Sequence, residues 1–445
     1  MPAMRRLRWL WVLVVCAWVV LAAGCAPRER ARADGRVEIV YWEKWTGFEG
    51  DAMRAVVDAF NRRQDRIWVE FLTVSQVDQK FLLSTAGGNP PDLAGLWSAN
   101  TSVYADLGAI QPLDQYCAEA GITPEQFIPS MIGEMIHRGH IWALPTAPAS
   151  LALHYNKALF RQAGLDPERP PRTIEELDAM AERLTRRDER GQIDVAGFLP
   201  SDPGWWNFAW GQWFGATLWD GDSQLTITSP ENVRAFEWVQ SYARKYGAKD
   251  LQSFQSGFGN FSSPQNSFLA GKVAMQLQGV WLHNFVDKYQ PGLEYGVAPF
   301  PYPADRPDLA GHTFVDVDNI VIPTGARHPR EAFEFIRFLA TPEGAELLAN
   351  GQGKFSPLRA VTPGFYQQHK HPYLQLFVDL SYGPSTFGQP KLQIWRELSA
   401  EMGNAFTKIW LDEQPARAAL EEVQARMQPK LERELRAKRR KGQLP

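Results

Sequence analysis

The chain has 445 residues, and 47 lysines and arginines against 50 acids leave a formal charge of −3. That balance offers no basic footprint for a nucleic acid. Of the three cysteines, two fall within the first 25 residues, which leaves no intramolecular disulfide, so the fold must be held by burial. A chain of this length divides into two or more cores, and its 17 tryptophans ask for an explanation.

The first elements concern targeting. Arg5, Arg6 and Arg8 precede the uncharged run WLWVLVVCAWVVLAA, which is too short for a stop-transfer helix and ends in small residues. This predicts a cleaved signal over residues 1–24 and an exported protein. The segment 25–35 is charged, with nothing to bury, and reads as a tether.

Ordered structure is expected from VEIVYW, an alternating run suited to a strand. Met53, Val56, Val57 and Phe60 then fall at helical spacing, IWVEFLTV returns to strand character, and PPDLAGLW is a further strand. The alternation predicts an α/β architecture with a largely parallel sheet. Later helices announce their starts: Thr173 as N-cap with Glu176 three residues on, then Ser229-Pro230 and Thr341-Pro342. The basic end, KLERELRAKRRKGQ, reads as a solvated helix end.

The stretch DPGWWNFAWGQWFG concentrates four tryptophans in residues 202–215. Trp206, Trp210 and Trp213 stand at i, i+4 and i+7, which predicts one buried helix face, while Trp205 lies off that stripe and is free to stack on a ligand. Asp202 is either the cap of this helix or a ligand group. His137 with His140, and His369 with His371, lack the cysteine or carboxylate partners of a metal site, so no metal is expected. Neither a GxxxxGK[ST] phosphate loop nor a GxSxG nucleophile elbow occurs.

Several stretches together resemble the extracellular solute-binding proteins of ABC importers, in the sugar-binding group that includes maltose-binding protein. They are YWEKWTGFEGDAMRAVVDAFN, GGNPPDLAGLWSANTSVYADLGAIQPLDQY, HYNKALFRQAGLDPERPPRTIEELDAMAERL, FLAGKVAMQLQGVW and DNIVIPTGARHPREAFEFIRFLATPEG, in the family's order. LAAGC, residues 21–25, is similar to the lipobox of bacterial lipoproteins, although Ala22 stands where a large aliphatic is usual; the resemblance implies that Cys25 carries lipid. The implied fold is a type II, two-lobed periplasmic-binding-protein fold with discontinuous lobes around a ligand cleft. Residues 36–145 plus 298–320 are expected in the first lobe and 150–296 plus 325–445 in the second, with crossings near 145–150, 296–301 and 317–324.

A sugar presents hydroxyls and apolar C–H faces, so its site needs aromatic plates with carboxylates and amides between them. Loops after strands offer Trp45 and Glu49, then Trp97 and Asn100. Asp316 and Asp318 share one side of an extended segment by period two. With Asp202 and Trp205, and with Trp281 and Trp395 on the strength of the resemblance, these form the expected ligand site. The implied protein is a non-catalytic, cofactor-free monomer, anchored to the membrane through a lipid, that delivers carbohydrate to permease subunits. Two alternatives remain open at this stage: a surface-anchored glycoside hydrolase or lyase, with pairs such as Glu43 and Glu49 as its acids, and a binding protein for a non-sugar solute.

Overall fold

The structure is a computed structural model that describes residues 32–383 and 386–440. The signal segment and Cys25 lie outside the described residues. Strand β1 (Val37–Glu43) buries Ile39 and Tyr41 on one side, and helix α1 (Gly47–Arg63) covers it with Met53, Val56, Val57 and Phe60. Each such side chain contributes about 1.5–3 kcal/mol by leaving water. Strands β2 (Ile67–Thr73) and β3 (Leu93–Trp97) pair parallel to β1 on its two sides, and helix α2 (Ser98–Asp106) follows β3 directly.

Strand β4 (Leu144–Asn156) is 13 residues long and buried throughout, because it serves two sheets. Strands β5 (Ile193–Phe198), β6 (Val273–Gly279) and β7 (Tyr295–Ala298) build the second sheet. Strand β8 (Thr313–Val321) lies between β3 and β4. The first-lobe order is therefore β2-β1-β3-β8-β4 and the second-lobe order β7-β4-β6-β5. Pairing is mixed: β1, β2 and β3 run parallel, as do β5 and β6, but β8 and β4, which run between the lobes, pair antiparallel with each other and with β3, β6 and β7. The expectation of a largely parallel sheet overlooked these two long strands.

Two large apolar clusters follow the sheets, and a smaller third one joins Phe268, Leu282, Phe285 and Tyr295. One joins Ile39 through Ala149 with Val315 through Leu380; the other joins Leu151 through Phe314 with Leu392 through Leu435. The chain thus passes between lobes near residue 150, between Phe314 and Val315, and between Leu380 and Leu392. This corrects the expected boundaries on two segments. Residues 298–314 pack in the second core through Ala298, Phe300 and Phe314, and the helices of 325–382 pack in the first through Phe335, Leu348 and Phe377. Their apolar stripes were legible, but which sheet they would cover was not.

The expected caps form: Thr173 Oγ1 accepts from Glu176 N at 3.2 Å, Ser229 Oγ from Asn232 N at 3.3 Å, and Thr341 Oγ1 from Gly344 N at 3.2 Å. The tryptophan-rich stretch departs from its predicted helix. Gly204 takes φ +90°, outside the range of a right-handed helix, and regular structure begins only with a 3-10 turn, Asn207–Ala209, followed by Trp210–Trp213.

Candidate functional site

The loop after β1 is built around a buried carboxylate. Glu43 accepts from the Tyr41 hydroxyl, from Lys44 N at 2.7 Å and from Trp45 N at 3.2 Å. Gly95 on β3 makes the space, since a Cβ there would stand 2.4 Å from Glu43 Oε2. Burial first, and then Glu43, push the Tyr41 phenol well above its ordinary range, so it remains a donor. The effect is to hold the turn that carries Trp45 and Glu49.

The central acid is Asp318 on β8. It accepts from Trp45 Nε1 at 2.8 Å and lies 3.2 Å from Lys44 Nζ and 3.6 Å from Lys354 Nζ. Lys354 also pairs with Glu49 at 2.8 Å. Burial disfavours the Lys354 charge, but Glu49 and Asp318 outweigh it and raise the ammonium pKa. Asp316, two residues earlier, has no cation within pairing distance among the described residues. Its Oδ1 accepts from Ser98 Oγ at 3.1 Å and Val317 N at 3.0 Å. Burial, then the neighbouring Asp318, raise its pKa.

Aromatic rings face this network. The cleft, of about 410 Å³, is lined by Trp45, Glu49, Trp97, Asp316, Asp318 and Lys354 on one side and by Trp205, Trp206, Phe208, Phe261, Phe285 and Gln389 on the other, with Trp281 at the junction. Trp45 meets Trp97 edge to face at 6.0 Å, and Trp205 meets Phe261 at 4.4 Å and Trp281 at 6.1 Å. Trp281 folds back over the end of β6: a Cβ on Gly279 would fall 2.2 Å from its ring.

Of the residues expected at a site, Trp45, Glu49, Trp97, Trp205, Trp281, Asp316 and Asp318 line this one cleft. Three do not. Asn100 is 5% exposed within α2 and away from the lining. Asp202 neither caps a helix nor reaches the cleft; it accepts from Ser267 Oγ at 2.5 Å and Gln276 Nε2 at 2.6 Å, and burial raises its pKa against those two bonds. Trp395 is 3% exposed, and its indole N–H donates to Gln389 Oε1 at 2.5 Å while its ring packs 4.9 Å from Phe208. It stands one layer behind the lining.

The sequence reading missed Lys354, because a lysine in a loop is ordinarily solvated. It also missed Phe208, Phe261, Phe285 and Gln389, and it assigned Trp206 to the core, where that residue is buried but has one edge on the cleft. The one signal available for Trp206 and Phe208 was their position in the tryptophan-rich stretch. Among the described residues no cluster of three or more His, Cys, Asp or Glu could hold a metal ion, and no helix is long and apolar enough to cross a membrane.

Two α/β lobes that share long strands and enclose one aromatic and acidic cleft define a binding protein of the type II periplasmic class. The chain belongs to the bacterial extracellular solute-binding protein family, whose model matches residues 48–346. Among relatives, the sn-glycerol-3-phosphate-binding periplasmic protein UgpB of Pectobacterium atrosepticum is 26% identical over 333 residues, 71% of this chain and 72% of that protein. Among solved structures, CpMnBP1 with mannotriose bound is 30% identical with a TM-score of 0.78, covering 88% of this chain and 99% of that one. The sugar-binding protein MalE of Xanthomonas citri has a TM-score of 0.72 at 20% identity, covering 91% and 98%, and shares the fold.

Proposed function

We propose that this chain captures a carbohydrate between its lobes and delivers it to the permease of an ABC importer, without chemical change to the sugar. The observation that carries this reading is the make-up of the cleft: flat aromatic plates, Trp45, Trp97, Trp205 and Trp281 among them, beside hydrogen-bonding acids with one lysine. Plates suit the C–H faces of a sugar, and carboxylates with fixed partners suit its hydroxyls. A ligand that touches both walls favours the closed arrangement of the lobes, which is the form a permease would read. The mannotriose carried by CpMnBP1 supports the same ligand class.

The phosphate ester named for UgpB fits less well. Three carboxylates and one lysine line this cleft, and no arginine does; a phosphate calls for the opposite balance. A glycosidase is disfavoured by the same geometry. Such enzymes use two carboxyls on opposite sides of the scissile bond, whereas Glu49, Asp316 and Asp318 share one wall and the facing wall carries no acid. Glu43 is occupied by the Tyr41 hydroxyl and two backbone amides behind the turn.

We further propose that Cys25 is acylated and holds a monomeric protein at the outer face of the cytoplasmic membrane; Cys25→Ala should then move it from the membrane fraction to the soluble one. The ligand reading is tested by titrating the protein lacking residues 1–25 with mono- to hexasaccharides while following tryptophan fluorescence and the melting midpoint. A ligand at 100 times its Kd adds about 2.7 kcal/mol to stability. A saturable shift with intact sugar recovered is the expected result. No response to any saccharide would overturn the carbohydrate reading, and cleaved sugar would overturn the non-catalytic one.

A further inference from the structure

Among the described residues, Asp316 is the one acid lining the cleft without a cation in pairing distance. Lys44 Nζ lies between Glu43 at 3.6 Å and Asp318 at 3.2 Å, and Lys354 Nζ between Glu49 at 2.8 Å and Asp318 at 3.6 Å. Two lysines thus already face three carboxylates, and Asp316 adds a fourth. Glu134, in the helix Pro129–Met135 that packs against β8, lies in the same field: burial pushes its carboxyl up to about 7, with Lys391 opposing that shift and Asp316 adding to it.

The geometry leaves Asp316 open to the cleft. Its Oδ1 is taken by Ser98 Oγ and Val317 N, but Oδ2 accepts no hydrogen bond among the described residues and is not sealed from solvent. Across from Asp316 and Asp318 on β4 stand Ala149 and Ala147, and both line the cleft. Their methyl groups leave room beside the carboxylate. A charge held at low dielectric without a counter-charge is costly, and a ligand that brings an ammonium removes that cost. The indoles favour the same charge, for Lys44 Nζ stands 5.4 Å from the centroids of the Trp45 and Trp97 rings and Lys354 Nζ 5.7 Å from that of Trp45.

We infer that the ligand is an amino sugar with a free, protonated amine, and that Asp316 selects it by accepting the ammonium at Oδ2 while the indole plates take the sugar ring. The inference rests on the carbohydrate reading and narrows it to a cationic sugar. Glu49 and Asp318 are committed to lysines, so the selection falls to Asp316.

The test compares matched ligands by calorimetry at pH 6. Glucose, mannose and galactose are each titrated beside the 2-amino and 2-acetamido counterpart, and glucose oligomers beside glucosamine and N-acetylglucosamine oligomers of the same lengths. In the parent the free amine should bind about tenfold tighter than the hydroxyl or acetamide form, as a charge-assisted hydrogen bond does against a neutral one. That advantage should fade as the pH rises past about 8, where such an amine loses its proton. Asp316→Asn should abolish the preference and leave the uncharged ligands near their parent affinity, with the melting midpoint as a control for folding. An uncharged sugar that binds as tightly as its amine, or a preference that survives in Asp316→Asn, overturns the inference and leaves the carbohydrate reading intact. Failure of the parent to bind any saccharide overturns that reading itself. The matched comparison in the parent decides the matter should Asp316→Asn not fold.

Discussion

The two walls of the cleft are built on different principles. On the first lobe every ionisable lining residue is already engaged: Asp318 with Trp45, Lys44 and Lys354, Glu49 with Lys354, and Asp316 with Ser98. The rest of the lining is Trp205, Trp206 and Phe208 of the second lobe and Phe261 and Phe285 of a third cluster, with one amide, Gln389. The polar wall is expensive to build, since charges at 2–9% side-chain exposure must be paired. The aromatic wall is cheap, because its rings are supported by packing alone. Substitutions on the first wall should therefore cost folding and binding together, and those at the exposed plate of the second, Trp205, binding alone.

Asp318→Ala is the strongest challenge to that contrast. It leaves Lys44 and Lys354 buried with fewer counter-charges, and removal of one partner from a buried pair costs about 3–5 kcal/mol. Urea unfolding should register a loss in that range together with loss of ligand binding. Unchanged stability would mean that the lysines find other partners, and the polar wall would not be the rigid element.

The joint between the walls responds to pH. His371 donates from Nε2 to Val280 O at 2.9 Å and accepts at Nδ1 from Tyr373 N at 3.1 Å, which uses both nitrogens of a neutral ring. Its ring lies 4.6 Å from that of His283, whose Nδ1 contacts the Tyr295 hydroxyl, and His154 is buried nearby beside Tyr295 and Phe377. Burial, foremost, pushes His371 and His154 from the ordinary 6.5 down to about 3; neighbouring histidines lower both further, against the hydrogen bonds to Val280 O and Ala152 O. Folded pKa values below the unfolded one mean that the unfolded chain binds more protons in acid. Stability is complete above about pH 6.5 and falls as the pH drops towards 3, by up to ~2.7 kcal/mol per pH unit for the two groups. His371→Gln should remove about half of that slope in urea titrations at pH 7, 6 and 5. The buried Asp202 and Asp316, with raised pKa values, titrate in the opposite sense and are common to both proteins.

Trp205→Ala tests the aromatic wall. The ring is 41% exposed, so the melting midpoint should hardly move, while the loss of a stacking plate should weaken sugar binding by about 2 kcal/mol, roughly 30-fold. A large drop in stability would show that the plates are structural after all.

The polar wall was more legible from the sequence than the aromatic one, for physical reasons. Its residues stand at strand ends or at period two on one strand, where local geometry sets direction: Trp45 and Glu49 follow β1, Trp97 ends β3, and Asp316 and Asp318 share a face of β8. Lys354 escaped because its burial depends on partners 36 and 305 positions away, Asp318 and Glu49. The aromatic wall sits on irregular backbone. Trp206 packs in the core as its stripe implied, but its place beside the cleft was not legible, and Phe261 lies in a loop that no period describes. The lobe boundaries were missed for a related reason: an amphipathic stripe tells that a helix packs, not on which of two sheets.

Trp395 joins the two kinds of evidence, for it was expected to stack on the ligand and instead stands behind the wall. Its N–H orients the Gln389 amide and its ring supports Phe208. Trp395→Phe keeps an aromatic ring against Phe208 and removes only the donor, so the amide of Gln389 becomes free to turn. A hydrogen bond of this kind is worth about 0.5–1.5 kcal/mol, and sugar affinity should fall by roughly two- to tenfold, the smallest of these effects. If Trp395 touched the ligand directly, the loss would approach that of Trp205→Ala and would persist when Gln389 is also replaced by Ala. If it acts through the amide, the double variant should bind no more weakly than Gln389→Ala alone, and that non-additivity is the measurement to make.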